Sequence, residues 1–207
     1  MTRPQDNMTD ARGHLIAFEG LDQSGKQTQA ERLLAALQQS GRRSHFLSFP
    51  DYDTAIGAEI GRALRGDCDY AADVMQLLYI ANRYEFRPRI EQWLGDGAIV
   101  VCDRYLSSSV AYGEAQDLDA GWLTITQQHL PPSSLTLLLD IPPDASLARK
   151  QRERDRYEQD PQLLGRVRES YLRQATEPHW VRIDGAQDRE TVTAAVFSAV
   201  RSRLGLL

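Results

Sequence analysis

Gly20-Leu21-Asp22-Gln23-Ser24-Gly25-Lys26-Gln27-Thr28 is the stretch on which the reading of this 207-residue chain turns. The apolar run Leu15-Ile16-Ala17-Phe18 precedes it. Ala30-Glu31-Arg32-Leu33-Leu34-Ala35-Ala36-Leu37, with helical spacing, follows it. A buried strand, a glycine turn ending in lysine and then a helix is the arrangement that cradles the phosphates of a nucleoside triphosphate. The glycines let backbone N–H groups turn inward on phosphate oxygens. Lys26 adds a point charge, and the helix N-terminus adds the positive end of its dipole. Gly20, Gln23, Ser24, Gly25, Lys26, Gln27 and Thr28 are therefore the candidate donor-binding residues. One position departs from the usual pattern, in which Ser or Thr follows the lysine and ligates Mg²⁺. Here Gln27 follows it. Thr28 lies about 100° further round the helix and cannot take the same ligand position. The Gln27 amide oxygen is the candidate replacement, on the metal or one of its waters. Taken alone, the stretch also reads as a glycine turn before an ordinary helix.

Working outward, five short apolar runs read as buried strands: residues 15–18, 45–49, 98–102, 135–140 and 180–184. Longer segments with helical spacing separate them. That alternation predicts an α/β fold, a five-stranded parallel sheet with helices on both faces. Gly41 ends the first helix and Gly95-Asp96-Gly97 a long one. Pro131-Pro132 and Pro142-Pro143 punctuate the fourth strand, and the second pair opens a helix. Residues 188–207 read as a closing amphipathic helix. Residues 1–207 are expected to form one domain, with the polar residues 1–12 as a loose tail.

Composition excludes several function classes. A net charge of −5 argues against a general DNA or RNA binder. No apolar stretch approaches the length of a membrane span. Cys68 and Cys102 follow no metal or redox spacing, Cys102 reads as a core residue, and the usage suits a reducing cytoplasm. His14, His45, His129 and His179 are scattered and suggest no zinc site.

Further motifs fall just after strands, where ligands of such sheets gather. Asp103-Arg104 ends the third strand. An acid there is the usual second Mg²⁺ anchor, and a guanidinium fork suits a phosphate monoester. Tyr79 and Arg83, four apart, share a helix face. The ring can stack on a base, and the arginine can donate to a base carbonyl, favouring thymine or uracil over cytosine. In isolation the same pair reads as a core tyrosine with a solvated arginine. The segment Arg149-Lys150-Gln151-Arg152-Glu153-Arg154-Asp155-Arg156 carries five basic residues. A basic run is usually a solvated face. Beside a phosphate loop it also reads as a flap, residues 149–160, that closes over donor phosphates and keeps water out.

These residues together resemble the thymidylate kinase family, P-loop nucleoside monophosphate kinases that convert dTMP and ATP into dTDP and ADP. Four motifs carry the resemblance in family order, from about residue 14 to about residue 180. They are Phe18-Glu19-Gly20-Leu21-Asp22-Gln23-Ser24-Gly25-Lys26-Gln27-Thr28-Gln29, Phe49-Pro50-Asp51-Tyr52, Ala81-Asn82-Arg83-Tyr84-Glu85, and Asp103-Arg104-Tyr105-Leu106-Ser107-Ser108-Ser109-Val110-Ala111-Tyr112. Asp155-Arg156-Tyr157-Glu158 is similar to the end of the family's flap. The resemblance implies that Lys26 holds the donor phosphates and that Asp22 approaches the sugar 3′-hydroxyl and the metal shell. It implies that Arg104, helped by Tyr52, grips the dTMP phosphate. Tyr79 would stack on thymine, Arg83 would reach its carbonyl, and Ser108, Ser109 and Tyr112 would lie beside base and sugar. Tyr157 would crowd the 2′ position. Asp22, Asp103 and Glu158 would serve Mg²⁺. Gln23 stands where some members carry a catalytic arginine, so Arg149, Arg152 or Arg154 of the flap is expected to act on the transferred phosphate. Tyr52 replaces an arginine of other members, and Gly113 stands where glutamine is common. The resemblance also implies a cytoplasmic homodimer with ATP and Mg²⁺ as its cofactors, and no nucleic-acid or membrane partner.

Two rivals share these features. A deoxynucleoside kinase on the same fold would use Asp51 as base, and a degenerate nucleotide-binding protein would show no turnover. The expected outcome is that dTMP, not thymidine, accepts phosphate from ATP. Comparing the two acceptors in one assay checks it, and thymidine turnover with dTMP inert would select the first rival.

Overall fold

Each of the five apolar runs forms a strand, displaced by no more than one residue from its expected ends. The computed structural model describes residues 13–149 and 160–207. The expected tail, residues 1–12, lies outside the described residues, as do Arg152, Arg154, Tyr157 and Glu158 of the expected flap. In chain order the elements are β1 (His14–Glu19), α1 (Lys26–Gln39), β2 (Ser44–Ser48), α2 (Ala55–Arg65), α3 (Ala72–Gly95), β3 (Ile99–Asp103) and α4 (Leu106–Glu114). They continue with α5 (Ala120–Thr126), β4 (Leu135–Asp140), α6 (Pro143–Arg149), α7 (Pro161–Gln174), β5 (Trp180–Asp184) and α8 (Arg189–Leu204).

The strands pair in parallel in the order β2-β3-β1-β4-β5. Period-two alternation sorts their side chains between two cores. Ile16, Phe18, Val101 and Leu137 pack on Leu33 and Leu37 of α1 and Val196 and Val200 of α8. On the opposite face Leu15, Ala17, Val100 and Cys102 meet Phe86 and Ile90 of α3. Leu138 and Trp180, also on that face, meet Leu164, Val167 and Tyr171 of α7. Because both faces are covered, the strands read as continuous apolar runs. β1 lies between β3 and β4, so its carboxyl end opens on the crevice where strand order reverses.

Local signals set the helix ends. Gly41, at φ 78°, closes α1, with Arg42 N–H donating to Leu37 O at 2.9 Å. Asp160 caps α7 through Gln162 N–H (2.9 Å) and Leu163 N–H (3.1 Å), with Pro161 in the first turn. Asp140, at the end of β4, then ties α7 to the sheet. It accepts from Arg168 at 2.7 and 3.0 Å and from Arg182 of β5 at 2.6 Å.

The loop between β2 and α2 is clamped from two sides. Asn82 of α3 is fully buried. Its Oδ1 accepts from Asp51 N–H at 2.8 Å, and its Nδ2 donates to Asp51 O at 3.2 Å and Thr54 Oγ1 at 2.9 Å. From the other side α2 presses so closely that a Cβ on Gly57 would stand 1.7 Å from Asp51 O and 2.9 Å from Tyr52 Cα. Both obstacles are backbone and cannot swing away. Gly57→Ala is therefore expected to lower stability by about 1–3 kcal/mol, the usual scale of overpacking. A denaturation midpoint equal to that of the unsubstituted protein would show that the loop yields freely.

Candidate active site

At the carboxyl end of β1 the chain turns through Gly20 at φ 139° and Gly25 at φ 94°. A Cβ on Gly20 would lie 2.5 Å from Leu139 O, so a side chain is excluded there by contact as well as by conformation. Lys26 opens α1. It is buried, and its Nζ donates to Leu21 O at 2.8 Å, within the loop it belongs to. Burial and then the Arg104 charge draw the Lys26 pKa down to about 8, against opposition from Asp22 and Asp103. Ser24 Oγ, in the same loop, is buried and has no partner among the described residues. Gln23, Gln27 and Thr28 are exposed. Gln27 Nε2 donates to Glu31 Oε1 at 2.9 Å along the outside of the helix. Arg149, the last residue of α6, donates to Gln23 O and to Gly185 O, each at 3.0 Å.

Arg104 follows β3 in a left-handed backbone conformation, φ 63°, with its N–H donating to Phe18 O at 2.9 Å. That conformation costs a non-glycine residue on the order of 1–3 kcal/mol and aims the side chain across the crevice. Nη2 donates to Asp22 Oδ1 at 2.5 Å and to the Tyr112 hydroxyl at 3.3 Å. Nη1 donates to Ser108 Oγ at 3.2 Å and to the Tyr171 hydroxyl at 3.3 Å. Those two hydroxyls also reach the fully buried Glu19, at 2.6 and 3.0 Å. The other Glu19 oxygen accepts from the N–H groups of Tyr105 (2.9 Å) and Ser108 (3.3 Å). Burial disfavours the charged form of Asp22, yet Arg104 and Lys26 outweigh it and hold its pKa near about 2.

An open pocket of ≈ 570 Å³ runs from this cluster toward α3. Asp22, Tyr52, Tyr79, Arg83, Arg104, Ser108, Ser109 and Tyr112 all line it, so the structure brings together every described residue expected on the acceptor side. Tyr79 is half-buried, and Tyr52, half exposed, sits at the mouth. Arg83 is not solvated. It is buried, and its Nη1 donates to Ser109 Oγ at 2.7 Å. Asp103 presents a buried Oδ1 with no partner among the described residues. Asp51 is not part of the lining, and its Oδ1 accepts from Asp53 N–H at 3.0 Å. Gly113 is explained by its neighbour, since a Cβ there would meet Leu123 Cδ1 at 2.4 Å.

Sequence reasoning missed four residues. Gln76 lines the same pocket, is 1% exposed, and neither amide atom has a partner among the described residues. A buried polar group left unpaired costs about 1–3 kcal/mol. Its spacing of three and seven from Tyr79 and Arg83 is a helical stripe that could have revealed it. Glu19 was visible as a charge ending an apolar strand. Asn82 lay inside a quoted motif, unread. Tyr171 sits mid-helix, far along the chain, with no local signal.

The comparisons with known proteins agree with this geometry. A family model described as Thymidylate kinase matches residues 18–196. A thymidylate kinase of Danio rerio is 35% identical over 187 residues, 89% of this chain and 88% of its own. One of Plasmodium falciparum is 34% identical over 188 residues, covering 89% of each chain. The solved structure of a thymidylate kinase from Candida albicans superposes with TM-score 0.79 at 29% identity and covers 92% of both chains.

Lys26 carries its charge below its pKa of about 8 and loses it above. Nucleoside triphosphate affinity is therefore expected to fall between pH 7 and pH 9, by about tenfold for loss of one buried phosphate contact of about 1.4 kcal/mol. Binding titrations at the two pH values check it, and a flat profile would remove Lys26 from the anion site.

Proposed function

The chain belongs to the thymidylate kinase family, and on that premise we propose how its crevice carries out the family reaction. That reaction moves the γ-phosphoryl group of ATP to the 5′-phosphate of dTMP, giving dTDP and ADP. The observation that carries our assignment of roles is that Lys26 and Arg104 both act on Asp22, Arg104 by a hydrogen bond and Lys26 through its charge. The cation of the donor loop and the cation of the acceptor pocket stand at one rim, within each other's field. Two anionic esters placed there would meet end to end.

Lys26 and the inward-facing amides of the loop hold the donor phosphates. Arg104 takes the acceptor phosphate with Tyr52 at the mouth. Tyr79 stacks on the base and Arg83 meets its carbonyl, while Ser109 and Tyr112 line the base and sugar. The attacking phosphate oxygen is already anionic, so no strong base is needed, consistent with Asp51 not being among the residues that line the pocket. Rate comes from positioning and from positive charge opposite the migrating group. Arg149 stands beside the donor loop, and we assign Arg152 or Arg154 to the transferred phosphate. Tyr157 and Glu158 complete the sugar and metal sides.

The family generally uses Mg²⁺, which supplies charge neutralisation between the phosphates. The residues fit it. Asp103 Oδ1 and Ser24 Oγ are buried oxygens without partners among the described residues, the hard ligands a hydrated magnesium ion takes directly or through water. Among the described residues no three His, Cys, Asp or Glu cluster as a metal site, so the ion would be held largely through phosphates and waters. No helix among the described residues is long and apolar enough to cross a membrane. We place the enzyme in the cytoplasm as a homodimer, for which Val74 and Leu77, exposed on α3, offer an apolar face.

ADP release dependent on dTMP, ATP and Mg²⁺ tests the assignment. Arg104→Ala is expected to lower kcat/KM for dTMP by roughly 100-fold, about 3 kcal/mol, while ATP affinity changes little. Equal losses for both nucleotides would contradict the division of labour.

A further inference from the structure

We propose that Gln76 reads the imide edge of the acceptor pyrimidine together with Arg83, and is a specificity-determining residue of this site. The inference rests on reading the pocket as the dTMP site. Three polar atoms from one face of α3 are buried, lack any partner among the described residues, and belong to residues lining the pocket: Arg83 Nε, Gln76 Oε1 and Gln76 Nε2. Buried polar atoms are normally paired, so unpaired ones need a reason. Their neighbours are paired. Asn82 is held by Asp51 and Thr54, and Arg83 Nη1 by Ser109. Among the described side chains of α3, the buried atoms left unpaired are confined to the two residues that flank Tyr79 along the pocket.

Their chemistry matches one edge. From Arg83 toward Gln76 the helix presents a donor, then an amide whose oxygen accepts and whose nitrogen donates. Thymine presents the complement: a 4-carbonyl that accepts, an N3–H that donates and a 2-carbonyl that accepts. Cytosine presents a donor at position four and an acceptor at N3. It therefore opposes Arg83 and can satisfy only one of the two Gln76 atoms. Gln76 and Arg83 are two helical turns apart, about 10.5 Å along the axis. A pyrimidine edge is shorter than that, and both side chains are long and can converge on it. Tyr79, between them, supplies the flat platform. In this division stacking gives affinity without choice, and the Gln76–Arg83 pair supplies the choice.

The arrangement has a signature that a structural glutamine lacks. An unpaired buried amide destabilises the ligand-free protein, and an apolar side chain of similar shape relieves it. Gln76→Leu and Gln76→Met are therefore expected to melt at or above the temperature of the unsubstituted protein without ligand. At the same time they should bind dTMP about 10- to 100-fold more weakly by calorimetry. The decisive probe is N3-methyl-dTMP, which lacks the imide proton. Methylation should weaken binding to the unsubstituted protein by at least about tenfold, and to either variant by no more than about threefold. Equal penalties in all three proteins, or variants that melt lower without ligand, would overturn the assignment. If the unsubstituted protein binds dTMP no better than dCMP, the reading of the pocket itself fails, whatever the variants do.

Discussion

The structure depends on a carboxylate that never touches solvent. Glu19 closes the central strand, and among the described residues no arginine or lysine is hydrogen-bonded to it. Its charge is answered at one remove by Arg104, through the hydroxyls of Ser108 and Tyr171. Both hydroxyls can turn their protons to Glu19 and leave lone pairs for the guanidinium. A buried charge is tolerated only when its surroundings are fully satisfied, so this network is fixed in geometry. The network draws on β1, α4 and α7 at once. It thereby ties these three elements together beside the acceptor pocket, which Arg104 and Ser108 line, and it offsets the left-handed backbone of Arg104.

The same network decides the division between the two ends of the crevice. Arg104 takes hydroxyl oxygens on one nitrogen and Asp22 on the other, so its plane is set before any nucleotide arrives. Preorganised charge of this kind reaches its full value without reorganisation. The clamp of Asn82 and Gly57 on residues 51–54 does comparable work at the mouth, where Tyr52 stands. Rigid elements therefore position both the deep and the shallow contacts of the pocket.

Much of this was legible in the sequence, for identifiable reasons. Strands buried on both faces appear as unbroken apolar runs, and all five were found within a residue of their ends. The residues after those strands converge because parallel strands share one carboxyl edge. Contacts between side chains distant in sequence were not legible. Nothing local marks Tyr171 as the partner of Glu19. Arg83, taken in isolation, also reads as solvated because an arginine on a helix usually is, and its burial against Ser109 selects the pocket reading. Gln76 was hidden for a different reason. A glutamine is common on any helix surface, and beyond its place on the Tyr79–Arg83 stripe it is distinguished by its lack of partners among the described residues.

Every described cation of the donor and acceptor rim already holds an oxygen of its own chain. Lys26 rests on Leu21 O, Arg104 on Asp22, and Arg149 on Gln23 O and Gly185 O. These oxygens tether the donors without exhausting them: Lys26 has three N–H groups and uses one on Leu21 O. A nucleotide therefore meets cations that are leashed in place yet still have hydrogens to give.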